Sequence, residues 1–216
     1  LSLMGADIKS NENKLPLTIK GKNLNPITYF SPIPSAQVKS SLILAGLNTQ
    51  GKTKVYENVL SRNHSEIMLE YLQASIKTGK DEKGYFVEVE KSKLIPKDIE
   101  ITGDISSAAF FMVAGAIIPK SEIIIKNVGI NPTRSGIIDV FKQAEIDFEL
   151  LNQRKLTNEL TCDIKVKYSE NIKPFIIKGD LIPRLIDEIP ILAVLASQAQ
   201  GVSIIQDAQD LRNKES

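Results

Sequence analysis

The chain has 216 residues, 42% of them hydrophobic, which is enough for one large domain or two of about 100 residues with a real core. Twenty-seven Lys and Arg balance 26 Asp and Glu to a net charge of +1, so no global field holds a polyanion; this argues against nucleic acid and leaves small phosphorylated or carboxylated ligands met by a few local charges. A single cysteine excludes an internal disulfide, a single histidine excludes a multi-histidine metal site, and the longest nearly unbroken apolar stretch, Ala108 to Ile118, is too short to cross a bilayer.

Leu1 to Lys20 reads as the closing hairpin of a unit whose front is absent. The chain opens without an initiator methionine and stops at Glu215-Ser216 after a charged cluster, so both ends are expected to be cuts. Pro34 to Ser41 opens a helix with Val38, Leu42 and Ala45 at helical spacing. An alternating strand follows, then a helix from Glu66 to Ile76, for which Asn63 and Glu66 make a capping box. Lys77 to Lys83 reads as a solvated approach to a hairpin that continues into the strand Tyr85 to Val89. A break near Pro96 to Thr102 divides the chain into domains at 1–100 and 101–216.

Asp104 is the expected N-cap of an almost wholly buried helix carrying Phe110, Ala114 and Ile117. A second helix is predicted over Gly136 to Gln143, and Cys162 to Lys167 alternates as a strand, which makes Cys162 a structural thiol of a reducing compartment. Phe175 to Ser216 is a unit cut off early. Asp187 suits an N-cap there, and Pro190 a first turn, before an apolar helix through Ile191, Val194 and Leu195.

These elements repeat. Residues 45–58 (AGLNTQGKTKVYEN) and 114–127 (AGAIIPKSEIIIKN) share Ala-Gly, a polar turn, an alternating strand and a closing Asn; residues 194–207 (VLASQAQGVSIIQD) form a looser third copy with Asp207 in the Asn place. The unit is strand, helix, strand, helix, strand, strand, so the fold class is α/β (α+β) with repeated βαβαββ units in parts of two domains.

Five places could carry chemistry. Ser35 at a helix start can offer phosphate oxygens its hydroxyl and neighbouring N–H groups, or can simply cap the helix. Arg62 could clamp a phosphate bidentately or be a surface charge; it occupies the same turn of the repeat as Asn131-Pro132-Thr133-Arg134. Gly103 to Ala109 suits close helix packing. Asp187 could take a hydroxyl proton at a cleft rim or cap a helix, and Lys214-Glu215 could bind an anion and move a proton or form a solvated ion pair.

Taken in series, Ser35-Ala36-Gln37-Val38-Lys39-Ser40, Gly103-Asp104-Ile105-Ser106-Ser107-Ala108-Ala109, Asn127 to Arg134, Leu181 to Glu188 and Arg212 to Ser216 resemble EPSP synthase over the whole chain. The Asn-Pro-Thr-Arg and Leu-Ile-Asp-Glu-Ile-Pro forms look like the bacterial class that tends to be glyphosate-insensitive. The resemblance implies the enolpyruvyl transferase fold and transfer of the enolpyruvyl group of phosphoenolpyruvate to shikimate 3-phosphate, in the cytoplasm, with no metal or organic cofactor, in a monomeric parent. It implies that residues 1–100 belong to the shikimate 3-phosphate domain, and 101–216 to the second domain. Ser35, Ala36, Gln37, Arg62 and Lys214 would bind shikimate 3-phosphate, with Gln37 also reaching phosphoenolpyruvate. Asp187 would meet the attacking hydroxyl as general base, and Glu215 would serve proton transfer at the methylene. Other parts of the family's site fall outside the sequence, so the chain alone is expected to be inactive. The alternatives are the related UDP-N-acetylglucosamine enolpyruvyl transferase and a non-catalytic anion-binding fragment.

Overall fold

Alternation between strand and helix periodicity along the chain is realised in two compact units, Leu1–Asp98 and Ile99–Ser216, in the computed structural model, which describes residues 1–12 and 14–213. In the first unit, β1 (Asp7–Asn11) and β2 (Lys14–Lys20) pair as an antiparallel hairpin. A complete repeat follows: β3 (Thr28–Phe30), α1 (Ala36–Gly46), β4 (Thr53–Glu57), α2 (His64–Tyr71), β5 (Ile76–Asp81) and β6 (Gly84–Val89). β3 and β4 run parallel across the α1 crossover, and β6 lies antiparallel between β4 and β5, so the sheet order is β3-β4-β6-β5.

The buried positions of α1 are Lys39, Leu42, Ile43 and Gly46, the i, i+3, i+4, i+7 stripe of a helix lying on a sheet. The face expected through Val38, Leu42 and Ala45 is therefore rotated: Val38 is exposed, and a lysine fills the core-facing place. Leu42, Ile43 and Leu47 pack with Val55, Val87, Val89 and Leu69 in the core of this unit. The helix α2 ends at Tyr71, earlier than expected, because Gln73 turns into the left-handed region (φ 61°) and Ile76 already begins β5. The expected capping box also fails: Asn63 is the N-cap but makes no side-chain capping bond, and Glu66 turns inward to Lys39.

The second unit repeats the plan with its first strand reduced. Gly103 forms a single parallel bridge to Val128, then α3 (Ile105–Ile117), β7 (Glu122–Gly129), α4 (Gly136–Gln143), β8 (Phe148–Leu156) and β9 (Glu159–Lys167) follow, in sheet order β7-β9-β8. The side chain of Asp163 on β9 ties down both bulges of this sheet, accepting from the backbone N–H of Asn127 on β7 and from Asn152 Nδ2 on β8, each at 2.9 Å. The helix α3 buries Ile105, Ala108, Ala109, Met112, Val113 and Ala116, but Phe110 and Phe111 are exposed, so it is not buried all round. A third, shorter copy holds β10 (Ile176–Ile177) parallel to β11 (Ile204–Ile205), with α5 (Ile189–Ser197) between them in sequence. Its expected face is shifted too, since Val194 is exposed while Leu192 and Leu195 are buried. No helix among the described residues is long and apolar enough to cross a membrane.

Gly46 marks where α1 comes closest to its sheet: a Cβ there would lie 2.7 Å from both Thr53 Cβ and Val89 Cγ2. The change Gly46→Ala is expected to lower the unfolding free energy of the first unit by about 1–3 kcal/mol, seen as a lower urea midpoint at unchanged slope.

Candidate active site

The first set of site residues grows out of the start of α1. Ser35 is extended (φ −135°, ψ 109°), its Oγ accepts from the N–H of Val38 at 3.4 Å, and its carbonyl accepts the first helical bond from Lys39 at 3.0 Å. Ala36 and Gln37 are the next two helical positions, whose N–H groups have no intrahelical acceptor and lie at the positive end of the helix dipole. Ser35 and Ala36 are half-buried and Gln37 is exposed. Arg62 is half-buried in the segment that joins β4 to α2.

Beneath this surface lies a group that pattern reading missed. Lys39 Nζ is 2.9 Å from Glu57 Oε2 and 2.8 Å from Glu66 Oε1, with all three side chains almost fully removed from water. The same ammonium donates to the carbonyl of Ser61 at 3.4 Å, and Glu57 Oε2 accepts from the Ser61 N–H at 3.4 Å. In the same first turn of α2, beside Glu66, the hydroxyls of Ser40 and Ser65 lie 2.7 Å apart. The segment carrying Arg62 is thus tied to α1 on both sides of the arginine. A cavity of about 590 Å³ between α2 and the β5-β6 hairpin borders Lys39, Glu57, Glu66 and Asn63. Lys39 was detectable in principle, because it completes the buried stripe with Leu42, Ile43 and Gly46.

The second set lies in the unit Ile99–Ser216. Asp104 caps α3, accepting from the Ser107 N–H at 3.0 Å and the Ser107 hydroxyl at 3.1 Å. Arg134 reaches back from the turn before α4 to Asp104 Oδ1 at 3.2 Å and hydrogen-bonds the Ser106 hydroxyl. That hydroxyl donates in turn to Glu188 Oε1, which lies 3.9 Å from Arg134. Burial raises the carboxyl of Asp104, but the hydrogen bonds from Ser107 and Ser106 and the charge of Arg134 outweigh it and hold the group below its ordinary value. Glu188 goes the other way: burial holds it above the usual carboxylate range against the pull of Ser106 and Arg134, and the neighbouring Asp187 adds to the rise.

Asp187 is half-buried in the 3₁₀ turn Ile186–Glu188 rather than at the head of α5, whose N-cap is Glu188 and whose first turn holds Pro190. Arg184 fixes the approach to this turn through Pro132 O at 2.7 Å and Asp139 Oδ2 at 2.8 Å. The structure therefore gathers Ser35, Ala36, Gln37 and Arg62 in one unit and places Asp187 in the other, while Lys214 and Glu215 lie outside the described residues. Cys162 is wholly buried on β9, its thiol pushed up to about 11, chiefly by burial and then by the charge of Asp163. Among the described residues no three His, Cys, Asp or Glu side chains gather as a metal site.

Comparison of the two copies isolates what differs. Ser35 and Asp104 stand at the same place of the repeat, ten residues before Ala45 and Ala114. In the second copy the N-cap carboxylate captures the arginine of the following turn. In the first copy that place holds a neutral hydroxyl beside the helix N-terminus, so the copy has no N-cap carboxylate of its own where Asp104 stands in the second.

The EPSP synthase (3-phosphoshikimate 1-carboxyvinyltransferase) family model matches residues 1–216. The chain is 52% identical to the 3-phosphoshikimate 1-carboxyvinyltransferase of Gloeothece citriformis, covering 100% of this chain and 48% of that protein. It is 49% identical to the Staphylococcus haemolyticus enzyme of the same name, covering 100% and 50%. Among solved structures, EPSP synthase from Acinetobacter baumannii aligns with a TM-score of 0.88 and 39% identity over 100% of this chain and 48% of that one. The enolpyruvyl transferase NikO from Streptomyces tendae aligns at 0.72 over 94% of this chain and 49% of that one; at 14% identity the likeness is one of fold. The chain spans about half the length of the curated relatives it matches.

The raised carboxyl of Glu188 makes a pH prediction. A folded-state value above the unfolded one stabilises the fold fully below the unfolded value, and this contribution is lost as pH rises through the folded value. Urea titrations from pH 4 to pH 8 are expected to show Glu188→Gln gaining stability relative to the parent as the pH rises.

Proposed function

Because the chain belongs to the EPSP synthase family, we propose that it carries one side of a site that transfers the enolpyruvyl group of phosphoenolpyruvate to shikimate 3-phosphate, giving phosphate as the second product. The observation that carries the reading is the exchange of Asp104 for Ser35 at the repeated helix start, which puts a neutral hydroxyl and helical N–H groups, rather than a carboxylate, in the unit that also holds Arg62. On this reading the unit Leu1–Asp98 is the shikimate 3-phosphate domain. Ser35, Ala36 and Gln37 take anionic and hydroxyl oxygens, Gln37 also reaches phosphoenolpyruvate, and Arg62 supplies a planar cation.

The chemistry is addition followed by elimination. Asp187 removes the proton of the attacking hydroxyl as its oxygen bonds the phosphate-bearing enol carbon of phosphoenolpyruvate, and the methylene carbon gains a proton to give a tetrahedral adduct. Loss of phosphate, with removal of a proton from the new methyl group, regenerates the double bond. Glu215 is assigned the methylene proton and Lys214 the shikimate 3-phosphate anion. No step requires a metal or an organic cofactor. The buried Cys162, with its thiol pushed up to about 11, suits a structural thiol in the cytoplasm and not a reactive loop cysteine of the kind expected in the UDP-N-acetylglucosamine enzyme.

The enzyme carrying this chain is expected to release phosphate from phosphoenolpyruvate only when shikimate 3-phosphate is present; release with UDP-N-acetylglucosamine instead would overturn the assignment. Loss of one charge-assisted phosphate contact in Arg62→Ala is expected to weaken shikimate 3-phosphate binding by roughly 10- to 100-fold in a calorimetric titration. Asp187→Asn is expected to lower kcat by about 10²–10⁴-fold with little change in that binding.

A further inference from the structure

Lys39 has no place in the chemistry just described, yet it is the most deeply buried charge among the described residues of the first unit: its side chain is 2% exposed, between the carboxylates of Glu57 and Glu66 at 3% and 6%. Burying three charges is a poor way to gain stability, because desolvation consumes most of what the ion pairs return, and an apolar cluster of the same volume serves a core as well or better. What such a cluster does supply is direction. An ammonium has to meet its acceptors at defined distances, and each acceptor here sits on a different element: Glu57 ends β4, Glu66 lies in the first turn of α2, and Ser61 O belongs to the segment between them.

We propose that Lys39 is a positioning residue for shikimate 3-phosphate binding, fixing the segment that carries Arg62 against the first turn of α1. The inference rests on the proposed function above. Lys39 is two residues beyond Gln37 on the same helix, facing the sheet, and its ammonium is bonded to the residue immediately before Arg62. The Ser40–Ser65 contact holds the other side of the same segment. A shift in this node would move Arg62 relative to the N–H groups of Ala36 and Gln37, and a ligand bridging both would lose affinity although no atom of Lys39 touches it. Lys39 acts through Arg62, so its effect has to vanish when Arg62 is absent.

The test is a double-mutant cycle in the enzyme that carries this chain. The combined change Lys39→Met, Glu57→Gln and Glu66→Gln removes all three charges together, so no buried carboxylate is left without its cation. It is expected to raise the KM for shikimate 3-phosphate about tenfold, leave that for phosphoenolpyruvate within about twofold, and add less than about twofold when made on Arg62→Ala. A purely structural role would lower kcat through the active fraction and leave both KM values in place. That result, or an equal rise in KM with and without Arg62, would overturn the proposal. If the combined variant does not fold, Glu66→Gln alone decides: a rise of about threefold that disappears on Arg62→Ala supports it, and an unchanged KM refutes it. Failure of the parent enzyme to use shikimate 3-phosphate at all would instead refute the proposed function.

Discussion

A lysine cannot be left unpaired in a protein core, and the first unit is built around satisfying one. Lys39 lies on the face of α1 that must pack on the sheet, so β4 has to end with Glu57, and α2 has to begin with its Glu66 turned inward, at the height of that ammonium. Removing one partner of such a buried group costs about 3–5 kcal/mol, several times a typical surface pair, and this makes the arrangement all-or-none. The apolar contacts of Leu42, Ile43, Val55 and Val87 hold α1 on the sheet but tolerate small slides. The ion node does not, and it sits one turn from the residues assigned to the ligand.

The second unit solves the same geometric problem with the charges placed differently. Its α1 counterpart, α3, has an apolar stripe with no lysine, and the helix start is joined to the following turn through Asp104, Ser106 and Arg134, which lead from an exposed N-cap to the buried Glu188. A common backbone plan therefore gives one helix start whose positive end is answered by its own N-cap carboxylate and one whose N-cap is neutral. The difference follows from a single position of the repeat, Ser35 against Asp104, and requires no change of fold.

That contrast also shows what a sequence can and cannot disclose. The repeat, the helix Gly136–Gln143, the strand carrying Cys162 and the residues of both helix starts follow from periodicity and from the Ala-Gly landmarks. The facing of α1 did not, because a lysine is ordinarily assigned to solvent and Val38 to the core; only partners far along the chain, Glu57 and Glu66, make the reverse arrangement favourable. The capping box at Asn63 failed for the same reason, since Glu66 had a stronger partner across the core than a local N–H. Gly103 reads as a helix approach, and its parallel bridge to Val128 depends on a residue 25 positions later.

Adjacent acidic residues in the second unit divide their labour along similar lines. Glu188 is 1% exposed and is held by Ser106 and Arg134, whereas Asp187, one residue earlier in the same 3₁₀ turn, stays half-buried. Because Pro190 occupies the first turn of α5 and has no N–H to satisfy, the helix start makes a smaller demand on capping groups, and Glu188, though at the N-cap position, can be spent on anchoring. An anchored neighbour fixes the backbone that carries Asp187. For the role proposed for Asp187, a fixed backbone is the requirement, because a general base has to stand within hydrogen-bond reach of the proton it takes.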